Sequence, residues 1–161
     1  MRRKAVSAIS LIVVLIALAS YYFPLTGNAS APKYNYLIES SIVTKVIDGD
    51  TVVIGGGQRV RLLNMDSREK GENCYKEAKS RLEELVLLKN ITLERDKEDK
   101  DRYDRLLRYI FVDDRNVNLQ MVKDGLAIVY IYEPNVKYRG AFEAAEKTAR
   151  TEGGCVWTKL P

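Results

Sequence analysis

Histidine is absent from all 161 residues, and that one gap removes a histidine general base, a serine–histidine–aspartate triad and any histidine-ligated metal. Cysteine occurs only twice, too few to build a zinc site unaided. With no imidazole to activate it, neither cysteine reads as a nucleophile. Acidic residues are missing from positions 1–33, where Arg2, Arg3, Lys4 and Lys33 supply the whole formal charge of +4. Residues 34–161 balance 22 bases against 22 acids. Bulk charge is therefore no argument for a polyanionic partner, and any such argument must come from local arrangement. The chemistry left to the chain rests on Asp, Glu, Arg, Lys and Tyr, a set that points to hard cations.

Long hydrophobic runs are scarce as well, with one exception. Met1-Arg2-Arg3-Lys4 precedes the uncharged stretch Ala5 to Phe23, close to the roughly 20 apolar residues that cross a bilayer. Ala17-Leu18-Ala19 and Ala29-Ser30-Ala31 both have the small-x-small form of a cleavage site, though Pro32 argues against cutting at the second. Tyr21, Tyr22 and Phe23 have the character of an interfacial aromatic belt. Residues 1–25 are thus expected to be a signal peptide or a transmembrane anchor. The positive-inside rule then puts the rest of the chain outside the cytoplasm, secreted after cleavage or held to the membrane by the uncleaved helix. Residues 26–35, with Gly27, Asn28, Ser30 and Pro32, read as a linker, and 36–158 as the folded domain.

Within that domain the periodicities give strands over 42–47, 51–54, 59–63, 90–94 and 106–112, and amphipathic helices over 75–88, 118–124 and 136–151. Asp48-Gly49-Asp50, Gly55-Gly56-Gly57 and Asp113-Asp114-Arg115-Asn116 are turn-formers, while Gly125 and Gly153-Gly154 end helices. Five short strands with three helices between and after them predict an α+β domain, a small closed barrel of the oligonucleotide-binding (OB-fold) kind. Cys74 precedes the first long helix and Cys155 follows the last, 81 positions on. In an exported domain an even pair most simply forms a disulfide, two unpaired buried thiols being the alternative.

Three segments carry possible chemistry. Asp48 and Asp50 stand two apart, Arg59 and Arg61 leave one side of a strand, and Asp66-Ser67-Arg68-Glu69 runs from a strand end into a loop. Singly, each has a bland reading as a turn, a solvated sheet face or a surface pair. Their combination within the 22 positions from Asp48 to Glu69 is what raises them above that.

The order Val46-Ile47-Asp48-Gly49-Asp50-Thr51, Arg61-Leu62-Leu63, Asp66-Ser67-Arg68-Glu69 and Asp101-Arg102-Tyr103-Asp104-Arg105 resembles the staphylococcal nuclease (thermonuclease) family. The likeness continues through Val122-Lys123-Asp124-Gly125-Leu126-Ala127 and Tyr130-Ile131-Tyr132-Glu133-Pro134-Asn135 to Gly154-Cys155-Val156-Trp157. The resemblance implies an exported, calcium-dependent phosphodiesterase that cuts DNA and RNA with low sequence specificity, as a monomeric soluble domain. It implies that Asp50, Asp66 and the Ser67 carbonyl hold calcium, with Asp48 just behind them, and that Glu69 is the general base. Arg61 and Arg105 match the phosphate-clamping arginines, whose planar forks suit two oxygens at once. Arg102 and Tyr103 fall where a terminal phosphate is bound, and Tyr130 and Tyr132 where aromatic rings meet the base.

The sequence departs from the family pattern at Arg68, where a proline usually precedes the base, and at Ser67, which replaces threonine. Asp104 and Leu106 stand where glycines are frequent beside Arg105, and the loop from Lys70 to Asn73 is short. None of these deletes a catalytic group. The alternative from another class is a catalytically silent barrel that binds nucleic acid or protein. Such a module has no reason to keep Asp50, Asp66, Glu69, Arg61 and Arg105 together.

Overall fold

The computed structural model describes residues 38–158. The signal or anchor expected over 1–25, the linker 26–35 and the first positions of the domain lie outside them. Among the described residues no helix is long and apolar enough to cross a membrane.

A hydrophobic meander begins the domain: β1 (Ile38–Val46), β2 (Thr51–Ile54), β3 (Arg59–Leu62) and the short β4 (Met65–Ser67). After α1 (Tyr75–Val86) come β5 (Asn90–Glu94), β6 (Leu106–Val112) and β7 (Arg115–Asn116), then α2 (Val117–Lys123), β8 (Ala127–Val129), α3 (Arg139–Thr151) and a 3₁₀ turn over Cys155–Trp157. The strands lie in the order β3-β2-β1-β5-β6-β7, and a further parallel pairing of β3 with β6 closes the sheet. β1 makes closure possible because it serves two neighbours in turn. Ser40 to Ile42 pair with β5, Val43 to Val46 with β2, and the register slips between Val43 and Lys45. An extra residue on one strand bends it and sharpens its twist. The result is the predicted five-stranded barrel with three helices.

Alternation fixes which faces are buried. Val43, Val46, Val52, Val60, Leu62, Ile91 and Leu93 are all under 4 % exposed and fill the core. β6 is buried from Leu106 to Ile110, as expected for a strand covered on both sides. On α1, Ala78, Leu82 and Val86 face inward, and on α3 Phe142, Ala145 and Ala149 do so. The side chain of Asn118 is fully buried and joins the end of β3 to the middle of β6: its amide donates to the carbonyls of Leu63 and Arg108, and its oxygen accepts from Ile110 N–H.

Two helix limits differ from the sequence reading by more than one residue. α1 stops at Val86 because Leu87 turns extended and Leu88 takes a positive φ of 57°. α3 starts at Arg139, three residues later than the periodicity suggests, since Val136 to Tyr138 form a turn before it. The two-stranded ribbon of β4 and β8 was not anticipated at all. Its three-residue strands are too short to show a period.

Candidate active site

The site grows from the turn between β1 and β2. Gly49 lets that turn lie against β4 and α1: a Cβ there would meet Ser67 Cβ at 2.7 Å and Ala78 Cβ at 2.8 Å. The close approach brings Asp50, only 6 % exposed, onto Ser67. Asp50 Oδ2 accepts from both the backbone N–H and the hydroxyl of Ser67 at 3.0 Å. Its Oδ1 accepts from the Thr51 hydroxyl at 2.9 Å and lies 3.3 Å from Arg61 Nε. A buried carboxylate is tolerable only when paired and hydrogen-bonded in this way.

Arg61 is the centre of the cluster. Its Nη1 donates to the carbonyls of Leu62 and Met65 at 3.0 and 2.9 Å, and its Nη2 donates to Asp66 Oδ1 at 2.6 Å. Arg105 is oriented separately, by Asp101 Oδ2 on its Nε at 2.6 Å and Asp101 Oδ1 on its backbone N–H. Its terminal edge is weakly engaged, Nη1 lying 3.4 Å from the Thr51 hydroxyl oxygen. Thr51 thus links the two arginines through Asp50.

Charge balance within the cluster is incomplete. Burial and then the repulsion of Asp50 push the Asp48 carboxyl up to about 6, against a partial lowering by backbone N–H groups. Burial also raises Asp66, opposed by Arg61 and reinforced by Asp50. At Asp101 burial is outweighed by the N–H groups and guanidinium of Arg105 and by Tyr103 N–H, so its carboxyl is held below the usual range.

Arg61 and Arg105 open together onto one cleft of about 340 Å³, which Asn64, Arg102, Tyr103, Tyr130 and Tyr132 also line. The three tyrosines are 56 %, 55 % and 43 % exposed. Three large aromatic rings left open around one concavity are a surface prepared for stacking. Arg102 and Arg105 each lie against the Tyr103 ring, at 4.8 and 5.5 Å from its centre.

The residues singled out from sequence therefore fall into two groups. Asp48, Asp50, Asp66, Ser67 and Arg61 form one bonded cluster, and Arg105, Arg102, Tyr103, Tyr130 and Tyr132 join Arg61 around the cleft. Glu69 stands apart. It is exposed, and its described contacts run through its backbone, whose N–H donates to Glu72 Oε2 at 2.9 Å and whose carbonyl accepts from Glu72 N–H. Cys74 and Cys155 are joined as a disulfide, with Cα atoms 5.9 Å apart.

Sequence reasoning missed Thr51, Asp101 and Asn64 as site residues. Asp101 had a signal, an acid four positions before an arginine with turn residues between. Thr51 had none, since its pairing with Arg61 is a register that only the structure shows. Nothing in the sequence marks Asn64.

A hard cation fits the donor set. Asp50 and Asp66 offer oxygens only, and Asp48 adds a third carboxylate to a cluster in which Arg61 bonds both Asp50 and Asp66. Among the described residues no group of three or more His, Cys, Asp or Glu side chains is arranged to enclose an ion. The fit is to a loosely held ion completed by backbone, water or ligand oxygens.

A small closed barrel with a carboxylate–arginine cluster beside an open aromatic cleft is an OB-type barrel that presents guanidinium groups and aromatic rings on one concave face. Comparison with known proteins agrees. A family profile described as staphylococcal nuclease homologue matches residues 59–159. The thermonuclease of Staphylococcus intermedius is 32% identical over 168 residues, covering 99% of this chain and 100% of that protein. Two proteins of Bacillus subtilis (strain 168) each align with 71% of this chain. Endonuclease YncB is 40% identical with 60% of its length covered, and the SPbeta prophage-derived endonuclease YokF is 38% identical with 43% covered. The chain belongs to the staphylococcal nuclease homologue family.

Proposed function

We propose that this protein is a calcium-dependent nuclease that hydrolyses phosphodiester bonds in DNA and RNA. The observation that carries the reading is the convergence of Arg61 and Arg105 with Tyr103, Tyr130 and Tyr132 on one cleft, with Asp50 and Asp66 directly behind Arg61. Family membership and the printed names of the relatives, a thermonuclease and two endonucleases, support the same reaction class.

The scissile phosphate sits between the two guanidinium groups. Arg105 can give two parallel N–H bonds to phosphate oxygens, and Arg61 can do so once it releases Asp50 and Asp66; these bonds strengthen as charge builds in the five-coordinate transition state. Arg105 is presented ready for this, because Asp101 holds its Nε and leaves the terminal nitrogens outward. Bases stack on Tyr130 and Tyr132, and Arg102 with Tyr103 receives a neighbouring phosphate. Stacking tolerates any base, so specificity for sequence is low and single strands are preferred. Asp50, Asp66 and the Ser67 carbonyl, with Asp48 behind them, would hold calcium, which when bound would supply the positive charge that acidifies water and stabilises the oxyanion. Glu69 takes the proton from the attacking water. The Cys74–Cys155 disulfide supports an oxidising location outside the cytoplasm, in keeping with the apolar segment of residues 1–25.

The test is cleavage of single-stranded DNA by the purified protein, first with calcium and then with excess chelator, repeated for Glu69→Gln. Cleavage should require calcium, and the variant should lose roughly 10²–10⁴ in turnover while still binding a nucleotide. A folded protein that cuts nothing under any divalent ion would instead be a silent binding module.

A further inference from the structure

The loop that carries Glu69 is held from two sides. On the barrel side, Asp50 takes the N–H and hydroxyl of Ser67. On the other, Arg68 Nη2 donates to the carbonyl of Val156 at 3.4 Å, across 88 positions of sequence. Cys155, next to Val156, is covalently tied to Cys74 at the loop's far end. Between these two links lies a cavity of about 270 Å³ lined by Arg68, Glu72, Asn73, Cys74, Val156 and Thr158. None of those residues lines the tyrosine cleft.

The C-terminal segment is a firm anchor. Val156 N–H donates to Gly125 O at 3.0 Å, and the backbones of Gly125 and Gly154 are so close that a Cβ on Gly154 would sit 2.6 Å from Gly125 Cα. The Arg150 guanidinium covers the Trp157 ring at 4.0 Å. By contrast, nothing in the covalent structure of residues 68 and 69 restricts their rotation. Asp50 fixes residue 67, while the Glu69 backbone is bonded to Glu72 of the same loop, so residues 68 and 69 keep the freedom to move with that loop against the barrel. A second fixed point on the residue 68 side chain removes that freedom.

We propose that Arg68 is a positioning residue for Glu69, acting through its bond to the C-terminal segment, which makes residues 154–158 part of the active-site scaffold. The inference rests on Glu69 being the general base. Arg68 itself touches neither substrate nor the reacting atoms. A misplacement of about 1 Å in a catalytic group costs on the order of 10²-fold in rate, so losing the tether should lower turnover strongly while leaving the stacking cleft intact.

A double-mutant cycle tests this on the full chain, with Arg68→Met, Arg68→Lys, Glu69→Gln and the Met and Gln changes combined. Arg68→Met should lower kcat by about 10–100-fold with KM and nucleotide affinity unchanged. Arg68→Lys, which keeps one donor for the Val156 carbonyl, should recover most of that. On the Glu69→Gln background the Met change should alter turnover by less than about twofold, because the group it positions is gone. Equal losses on both backgrounds, or a loss in KM and nucleotide binding, would overturn the positioning role and leave Glu69 as base. Wild-type turnover in Glu69→Gln would overturn the base assignment instead, so the two failures are read separately. If Arg68→Met does not fold, replacing Cys74 and Cys155 together by alanine loosens the same segment from its other link. That double replacement should lower kcat when Glu69 is present and leave turnover unchanged on the Glu69→Gln background; equal losses on both would again overturn the positioning role.

Discussion

Asp48 is the residue at which the charge deficit of the cluster can be measured without any catalysis. Asp48→Asn keeps the shape of the side chain and an oxygen for the Asp50 N–H, which donates to Asp48 Oδ1 at 3.1 Å. It removes only the charge. Burial and Asp50 raise the carboxyl from 3.8 to about 6 in the folded protein. Taken at face value this is about 3 kcal/mol of unfavourable ionisation at neutral pH. Asp48 is half-buried, and screening by water reduces the figure to about 1 kcal/mol. The sign follows from proton binding. Between 3.8 and about 6 the folded state holds more protons than the unfolded one, so Asp48 costs stability as pH rises through that window and not below it. In chelator, Asp48→Asn should therefore be more stable than the parent by about 1 kcal/mol near pH 7.5, with the gain vanishing toward about pH 4. Urea unfolding of both proteins at the two pH values measures it. A gain of equal size at both, or a loss near neutrality, would mean that burial and Asp50 do not raise the Asp48 carboxyl in the folded protein.

Two more outcomes follow from named contacts. Arg61→Lys replaces a fork that serves two carbonyls and two carboxylates by a single ammonium, so turnover should fall by about 10²–10³, and wild-type kcat/KM in that variant would refute the bidentate clamp. Reduction of the Cys74–Cys155 bond frees a loop of 81 positions, which in the chain-entropy model costs about 4 kcal/mol. The urea midpoint should drop on adding reductant, and an unchanged midpoint would show that the bond is not closed in solution.

How much of this was legible depends on what each residue reports in its own neighbourhood. Barrel strands such as Arg59 to Leu62 announce themselves because alternation survives even in four residues flanked by turn-formers. Arg61 and Arg105 were found by family likeness, and the structure brings them to one cleft although 44 positions separate them. Thr51 and Asn64 stayed silent because their importance is a distance to a group elsewhere in the chain. Asn64 donates to the Tyr109 hydroxyl across 45 positions while its backbone takes a left-handed φ of 62°. Only the turn conformation is local, and asparagine is one of the residues that tolerates it. The Arg68 tether is invisible for the same reason, and in the sequence Arg68 shows only as a departure. Asp104 is a similar departure that the fold absorbs: it adopts φ 62° beside Arg105 and pairs with Lys100 at 2.7 Å.

The site as it stands has an internal competition that sets the order of events. Both oxygens of Asp50 are occupied, Oδ1 by Thr51 and Arg61 and Oδ2 twice by Ser67, while Asp66 Oδ1 is taken by Arg61. In this arrangement Arg61 supplies the positive charge that the carboxylates require, and it is consequently not free to grip a phosphate. Asp50 cannot give up Ser67 without releasing the loop toward Glu69, but it can give up Arg61 at no cost to that loop. A cation drawn to Asp50 Oδ1 and Asp66 would therefore compete with the guanidinium and with the Thr51 hydroxyl, and with neither of the Ser67 bonds. If a cation is held there as proposed, the Arg61 fork is released toward the cleft it already lines, and nucleotide affinity should rise with calcium; an affinity independent of calcium would refute the exchange.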